Sequence, residues 1–387
     1  MKLLNISFSL IVFGFFSAST LANAAEKQDT SNNIKLFADA RIGFFENFRE
    51  DRNGSEKTTN TLRYRVRAGA VVPLSSAWSF KTRIAGRYSD EKNEKRHTKI
   101  YKTKTVSDGL ALGQATLDTI SMLYKEGSHN LVLGRFQKSF ELDGVAKKSL
   151  DRNTSPNTDI TWIDGAYYSF AASNKWKHHA IIQYNDKDGS SEVRRGPLDY
   201  TVNSSRTSYF YSFDRKDKGA HLPRMGVDLN YMPDALCKDG TSACTQREDY
   251  IALVGRFVAQ WKMNEAGRKF MLSTELGYAP NTPLNTTMKT GISGDSDGFA
   301  RQVSVNVVNL FKDHSIGLVY GEVDAGYLIA PDFRNNNTLL ELRYKWQINK
   351  KQKLETRLRE REDLIVPTGS SKSRVDTDFY VRFSHKF

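Results

Sequence analysis

Residues 61–72, TLRYRVRAGAVV, place Leu62, Tyr64, Val66, Ala68, Ala70 and Val72 at even positions and Arg63, Arg65 and Arg67 at odd ones. A helix turning about 100° per residue scatters those arginines, whereas a strand gathers them on one face and the apolar groups on the other. One face therefore calls for an apolar medium and the other for water and anions. A soluble sheet could bury the first face in a core, but the pair of faces suits a wall between hydrocarbon and an aqueous lumen better.

The same grammar recurs along the chain. Residues 34–45 put Ile34, Leu36, Ala38, Ala40, Ile42 and Phe44 on one side, and residues 77–88 put Trp78, Phe80, Ile84 and Tyr88 opposite Lys81, Arg83 and Arg87. Short polar turns at 73–76, 125–128, 173–176, 264–267, 312–314 and 349–352 alternate with longer polar stretches such as 46–60, 89–108, 138–159 and 234–249. Counting the segments between them predicts an all-β fold: a transmembrane antiparallel β-barrel of about 16 strands, with short periplasmic turns and long extracellular loops. A barrel of ~16–18 strands encloses an aqueous channel rather than a packed interior.

The first residues read as an export signal. Lys2, an apolar run at 6–16 and Ala22-Asn23-Ala24 as a small-residue cleavage site divide the chain into a signal peptide, 1–24, and a barrel domain, 25–387. No later apolar run approaches the ~20 residues of a transmembrane helix, which says nothing against spanning strands. Lys and Arg number 57 against 44 Asp and Glu, a formal charge of +13. In an exported chain with its cations dispersed over many strands, that excess points to small anionic solutes and away from nucleic acid. Cys237 and Cys244 lie in one polar stretch without neighbouring histidines, so a disulfide pinning a loop is expected and a metal site is not.

The C-terminus alternates Phe379, Val381, Phe383, His385 and Phe387 with Asp378, Tyr380, Arg382, Ser384 and Lys386. This resembles the terminal strand by which outer-membrane proteins are recognised for insertion, with His385 a mild departure. Together with the export signal and the strand pattern, the chain resembles the Gram-negative outer-membrane porins, and more loosely the phosphate-selective and carboxylate-specific ones. The resemblance implies a location in the outer membrane and contacts with its lipid and lipopolysaccharide. It also implies delivery by the barrel-assembly machinery and the homotrimer that porins often form. General porins fold a loop into the pore after the fifth strand. If residues 138–159 do so, Lys147, Lys148 and Arg152 would line a constriction opposite Glu141, Asp143 and Asp151; otherwise they form a surface loop.

The pore-lining, anion-binding candidates are Arg63, Arg65, Arg67, Lys81, Arg83, Arg87, Lys147, Lys148, Arg343, Lys345, Arg357, Arg359 and Arg382, joined by Arg361 and Lys386. A turn at 73–76 would set Arg67 opposite Arg83 and Arg63 opposite Arg87, like charges that are unfavourable unless anions lie between them. Closure of the barrel would bring the C-terminal cations beside the N-terminal ones. Glu341, Glu355 and Asp378 are available as counter-charges.

Aromatic residues near strand ends, Trp78, Trp261 and Trp346 among them, suit interfacial girdles, the alternative being a track for sugars inside the lumen. Ser296 matches G-x-S-x-G but lacks the strand before it and helix after it that a nucleophile elbow needs. The adjacent aspartates lack the spacing of a calcium loop. His178 and His179 point to opposite faces of one strand. The reading is a passive channel with no cofactor, no metal and no chemical step, and with phosphate, organic acids or acidic oligosaccharides as solutes. The alternatives are a barrel enzyme, a phospholipase or protease, and an adhesin.

Overall fold

The computed structural model describes residues 33–90, 115–151, 162–173, 175–185, 196–217, 219–263, 267–330 and 332–387. The expected export segment, most of the charged stretch after the third strand, and Arg152 lie outside the described residues. The N-terminal strands are β1 (Lys35–Glu50), β2 (Glu56–Pro73), β3 (Trp78–Ser89), β4 (Ala115–Glu126) and β5 (His129–Phe136). Next come β6 (Ile163–Ala171), β7 (Trp176–Tyr184), β8 (Thr207–Lys216), β9 (Arg224–Cys237), β10 (Arg247–Lys262) and β11 (Lys269–Tyr278). The last are β12 (Phe299–Phe311), β13 (His314–Val323), β14 (Asn337–Gln347), β15 (Gln352–Asp363) and β16 (Val375–Lys386).

Each strand pairs antiparallel with its neighbours in sequence, and β16 pairs with β1 from Asp39 opposite Lys386 to Glu50 opposite Val375. This closes a barrel without an edge, the condition for placing a sheet in hydrocarbon. The outer face exposes Val66, Ile84, Leu253, Phe257, Leu276, Leu318 and Leu342. An apolar belt of this extent is stable against lipid rather than water.

Two expectations need correction. First, the stretches taken as loops are partly strand: β1 reaches Glu50 and β2 starts at Glu56, while β9 and β10 extend to Cys237 and from Arg247. Beyond the apolar belt both faces are wet, so alternation stops before the hydrogen-bond ladder does. Second, Arg65 lies opposite Arg87, Arg67 opposite Ala85, and Gly69 opposite Arg83. The turn centres on 74–77, where the N–H groups of Leu74 and Ser75 both donate to the Trp78 carbonyl at 2.9 and 3.1 Å. Pairing partners thus move by two residues, which keeps every side chain on its expected face.

Among the described residues, the segments after β5 and β13 fold inward, and Leu198 and Tyr200 of the segment after β7 join the cluster they form. Residues 137–151, after β5, reach the far wall, where Val145 N–H donates to Asn306 Oδ1 of β12 at 2.8 Å. Residues 324–330 and 332–336, after β13, lie beside them, and the Tyr327 hydroxyl donates to the Leu150 carbonyl at 3.0 Å. Inward glycines seat these segments: a Cβ on Gly277 would come within 2.8 Å of the Tyr327 ring, and one on Gly321 within 2.5 Å of Phe333. The Tyr250 hydroxyl receives Leu328 N–H at 2.7 Å and donates to the Gly326 carbonyl at 3.2 Å. The product is an apolar cluster that includes Ala146, Leu150, Tyr250, Val254, Val319, Tyr327 and Leu339 inside one half of the barrel.

Candidate functional site

The other half is basic. Barrel closure sets β14, β15, β16, β1, β2 and β3 side by side, and their register aligns cations across the inner wall. Along one row Lys345 faces Glu355, Glu355 faces Arg382, Arg382 faces Gly43 and Gly43 faces Arg63. Along the next, Arg343 faces Arg357, Arg357 faces Tyr380 and Tyr380 faces Phe45. Arg65 faces Arg41, which faces Ser384. The structure therefore brings Arg63, Arg65, Arg67, Lys81, Arg83, Arg87, Arg343, Lys345, Arg357, Arg359, Arg361 and Arg382 onto one inner face, on which Arg87, expected to line the pore, is buried.

Like charges at these separations need counter-charges, and shared carboxylates supply them. Asp39 takes Arg67 Nε at 2.8 Å and Arg65 Nη2 at 3.4 Å. Asp118 takes Arg83 through two parallel bonds of 2.8 Å. Asp378 serves Arg357, Arg359 at 2.7 Å and Arg361 at 3.8 Å. Glu355 serves Lys353 at 2.7 Å, Arg382 at 2.9 Å and Arg343 at 3.1 Å. Asp376 holds Arg334, from the inward segment, and Arg374 at 2.9 Å. Several of these carboxylates are shared among two or three cations, so the groups are fixed in place while the wall keeps net positive charge.

Aromatic rings do similar work. The Arg357 and Arg382 guanidinium carbons stand 4.3 and 4.8 Å from the centre of the buried Tyr380 ring. Tyr380 lies 5.2 Å from Phe45, which carries Arg63 at 4.7 Å. The negative ring faces let guanidiniums gather across the β16–β1–β2 seam.

The inward segment 137–151 divides the candidates. Lys147 is exposed, but Lys148 is not part of an open lining: its side chain is 2% exposed, and Nζ pairs with Glu341 at 2.8 Å. Burial pushes the Lys148 ammonium below the ordinary lysine value despite Glu341 and Asp332. Glu141 goes the other way, raised above the usual carboxylate range by burial and by Asp332. Asp151 meets Arg256 at 2.8 Å beside Asp228 and Glu275, all four side chains fully buried. Glu275 also accepts Leu150 N–H at 2.8 Å, so this cluster fastens the segment to the wall. Asp143 faces Arg224 at 3.5 Å.

Exposure separates the two inner walls. Side chains of Arg65, Arg67, Arg359 and Arg382 keep 13–18% exposure, whereas Arg256, Glu275 and Asp228 keep none. Among the described residues the arginine wall is thus the more exposed of the two.

Sequence reasoning missed Arg41, although it stands between the outward Ala40 and Ile42. It also missed Asp39, Asp118, Tyr380 and the inward segment at 324–336. The first two could have been found by following face parity, the last from inward glycines on β11 and β13. Cys237 and Cys244 are joined, with Cα atoms 4.8 Å apart. Their loop carries Lys238, which pairs with Asp295 at 2.8 Å. The Ser296 hydroxyl is buried and donates to the Pro283 carbonyl at 2.7 Å, a structural contact. His179 faces inward on Tyr167 and His178 outward on Tyr211, at 2.8 and 2.6 Å.

The fold and this inner wall define a closed antiparallel membrane-type barrel with a charged interior. No protein-family model and no curated sequence matches the chain. Solved structures do, and they are Gram-negative outer-membrane porins. OprB of Pseudomonas putida has 11% identity over 92% of this chain and 94% of its own, with a TM-score of 0.59. The anion-selective porin of Comamonas acidovorans has 11% identity over 92% and 100%, with a TM-score of 0.53. OccK2 of Pseudomonas aeruginosa, determined with glucuronate, has 9% identity over 91% and 98%, with a TM-score of 0.51. The chain has the porin fold.

Proposed function

We propose that the protein is a bacterial outer-membrane channel for passive diffusion of small hydrophilic solutes, with a preference for anions. The observation that carries this reading is the coincidence of the exposed inner wall with the basic one. Loops pack the β9–β14 side, so a solute crossing the barrel passes Arg63, Arg65, Arg67, Arg357, Arg359 and Arg382. Arginine stays charged at all relevant pH values, and its planar fork binds carboxylate or phosphate in two-point fashion. Sites in series, each partly offset by a shared carboxylate, let an ion enter and leave again. The likeness to an anion-selective porin and to one determined with glucuronate supports this reading, with organic acids, phosphate and acidic oligosaccharides as the solute classes. The export signal, the trimer and the pore-narrowing role of 138–159 belong to the same proposal.

The test is single-channel recording in a planar bilayer under a salt gradient. Discrete conductance with an anion-selective reversal potential is expected; absence of conductance, or cation preference, refutes the reading.

A further inference from the structure

The two rims of the barrel differ in chemistry on the outer face. At the end where the short turns lie, outward tyrosines pair with histidines: His129 with Tyr168 at 2.6 Å, His178 with Tyr211 at 2.6 Å, and His314 with Tyr344. At the opposite end outward tyrosines donate to carboxylates, Tyr231 to Asp249 at 3.0 Å and Tyr320 to Glu322, an arrangement found once at the turn end, where Tyr124 donates to Glu126. Four of the chain's five tryptophans, Trp78, Trp176, Trp261 and Trp346, sit outward at the turn end, and the fifth, Trp162, is buried inside. The turn end also exposes Lys125, Lys262, Lys312, Lys350, Lys351 and Lys386, while its described acids are few: Glu126, Asp313, and Asp217, which is held by Lys175 at 2.7 Å.

We infer that the turn-end rim is a docking surface for anionic glycerophospholipid headgroups. The argument is charge complementarity at the depth where a membrane presents its phosphates. Indole rings and tyrosine–histidine pairs set the rim at the interface, and the lysines just beyond it reach the headgroup layer. Each lysine near an anionic surface adds to the attraction, which fades within a Debye length. The opposite rim carries Glu46, Glu50, Glu322 and Glu362 on its outward positions, with Glu50 paired to Lys372 and Glu322 to Arg301. This inference rests on the membrane reading but not on anion conduction.

The tryptophans supply the assay. The full chain is reconstituted in vesicles in which brominated phosphatidylglycerol or brominated phosphatidylcholine is present at equal mole fraction, and indole quenching is compared. The expected ratio of quenching strength favours phosphatidylglycerol by about two-fold or more in low salt. It approaches one in high salt and in the K312Q/K350Q/K351Q variant, whose changes are confined to exposed turns. Equal quenching by the two lipids in the wild type, or a preference unchanged by the triple variant, overturns the inference. Loss of quenching by both lipids would overturn membrane insertion itself, a distinct failure.

Discussion

The β9–β14 wall and the wall from β14 through β16 to β3 obey the same alternation, yet one is filled and the other wet. On the first, the inward positions are glycines, small polar groups and aliphatics, with Gly277 and Gly321 leaving room for Tyr327 and Phe333. Its charged cluster, Arg256 with Asp151, Asp228 and Glu275, is fully buried and acts as a fastener. On the second, long guanidinium side chains project from adjacent strands and hold one another apart through shared carboxylates. A barrel of this size thus carries both a packed half and an exposed basic wall by giving its two halves different inward residues.

The largest effect should come from breaking the fastener. R256A leaves three buried carboxylates without their cation, so a loss of about 3–5 kcal/mol is expected. Detergent-solubilised variant should unfold at lower temperature, and protease should cut within 137–151 before the strands. A stability equal to wild type would show that the cluster does not hold the segment.

Filling a seat should cost less. G321V drives a side chain into Phe333, with an expected penalty of about 1–3 kcal/mol from overpacking. The displaced 324–336 segment also carries Arg334, so melting temperature and open-channel noise should change together. A silent G321V would mean that the packed half tolerates repacking.

The smallest effect concerns pH. Because burial raises the Glu141 carboxyl, it takes up its proton at higher pH than an ordinary carboxylate. Neutralising an acid beside the basic wall should strengthen anion preference as pH falls, from a higher pH than an ordinary carboxylate would give. E141Q should show the strengthened preference at neutral pH and a flatter pH response. A response identical to wild type would exclude Glu141 from the conduction path.

The strands were legible because lipid imposes one polarity on every second residue. A two-residue error in the β2–β3 turn therefore left Arg63, Arg65, Arg67, Lys81, Arg83 and Arg87 on the correct face. The basic sector was legible for the same reason, since parity and closure alone place Arg343, Arg357, Arg359 and Arg382 beside the N-terminal strands. What was not legible depends on contacts distant in sequence. Lys148 read as a pore-lining cation facing Glu141, Asp143 and Asp151, whereas its partner is Glu341, nearly two hundred residues away. Asp39 and Asp118 are ordinary acids until register delivers Arg67 and Arg83 to them. The inward 324–336 segment has no alternation of its own; its sign was on the opposing strands, in glycines facing where arginines would otherwise fit.

The most direct measurement is the zero-current potential of the reconstituted channel in a salt gradient, wild type against the quadruple variant R63A/R67A/R83A/R87A. An anion-selective potential in the wild type that moves toward zero or changes sign in the variant, with conductance retained, is the predicted result. An unchanged anion-selective potential in the variant would contradict the account, because the selective path would then lie away from the arginine wall.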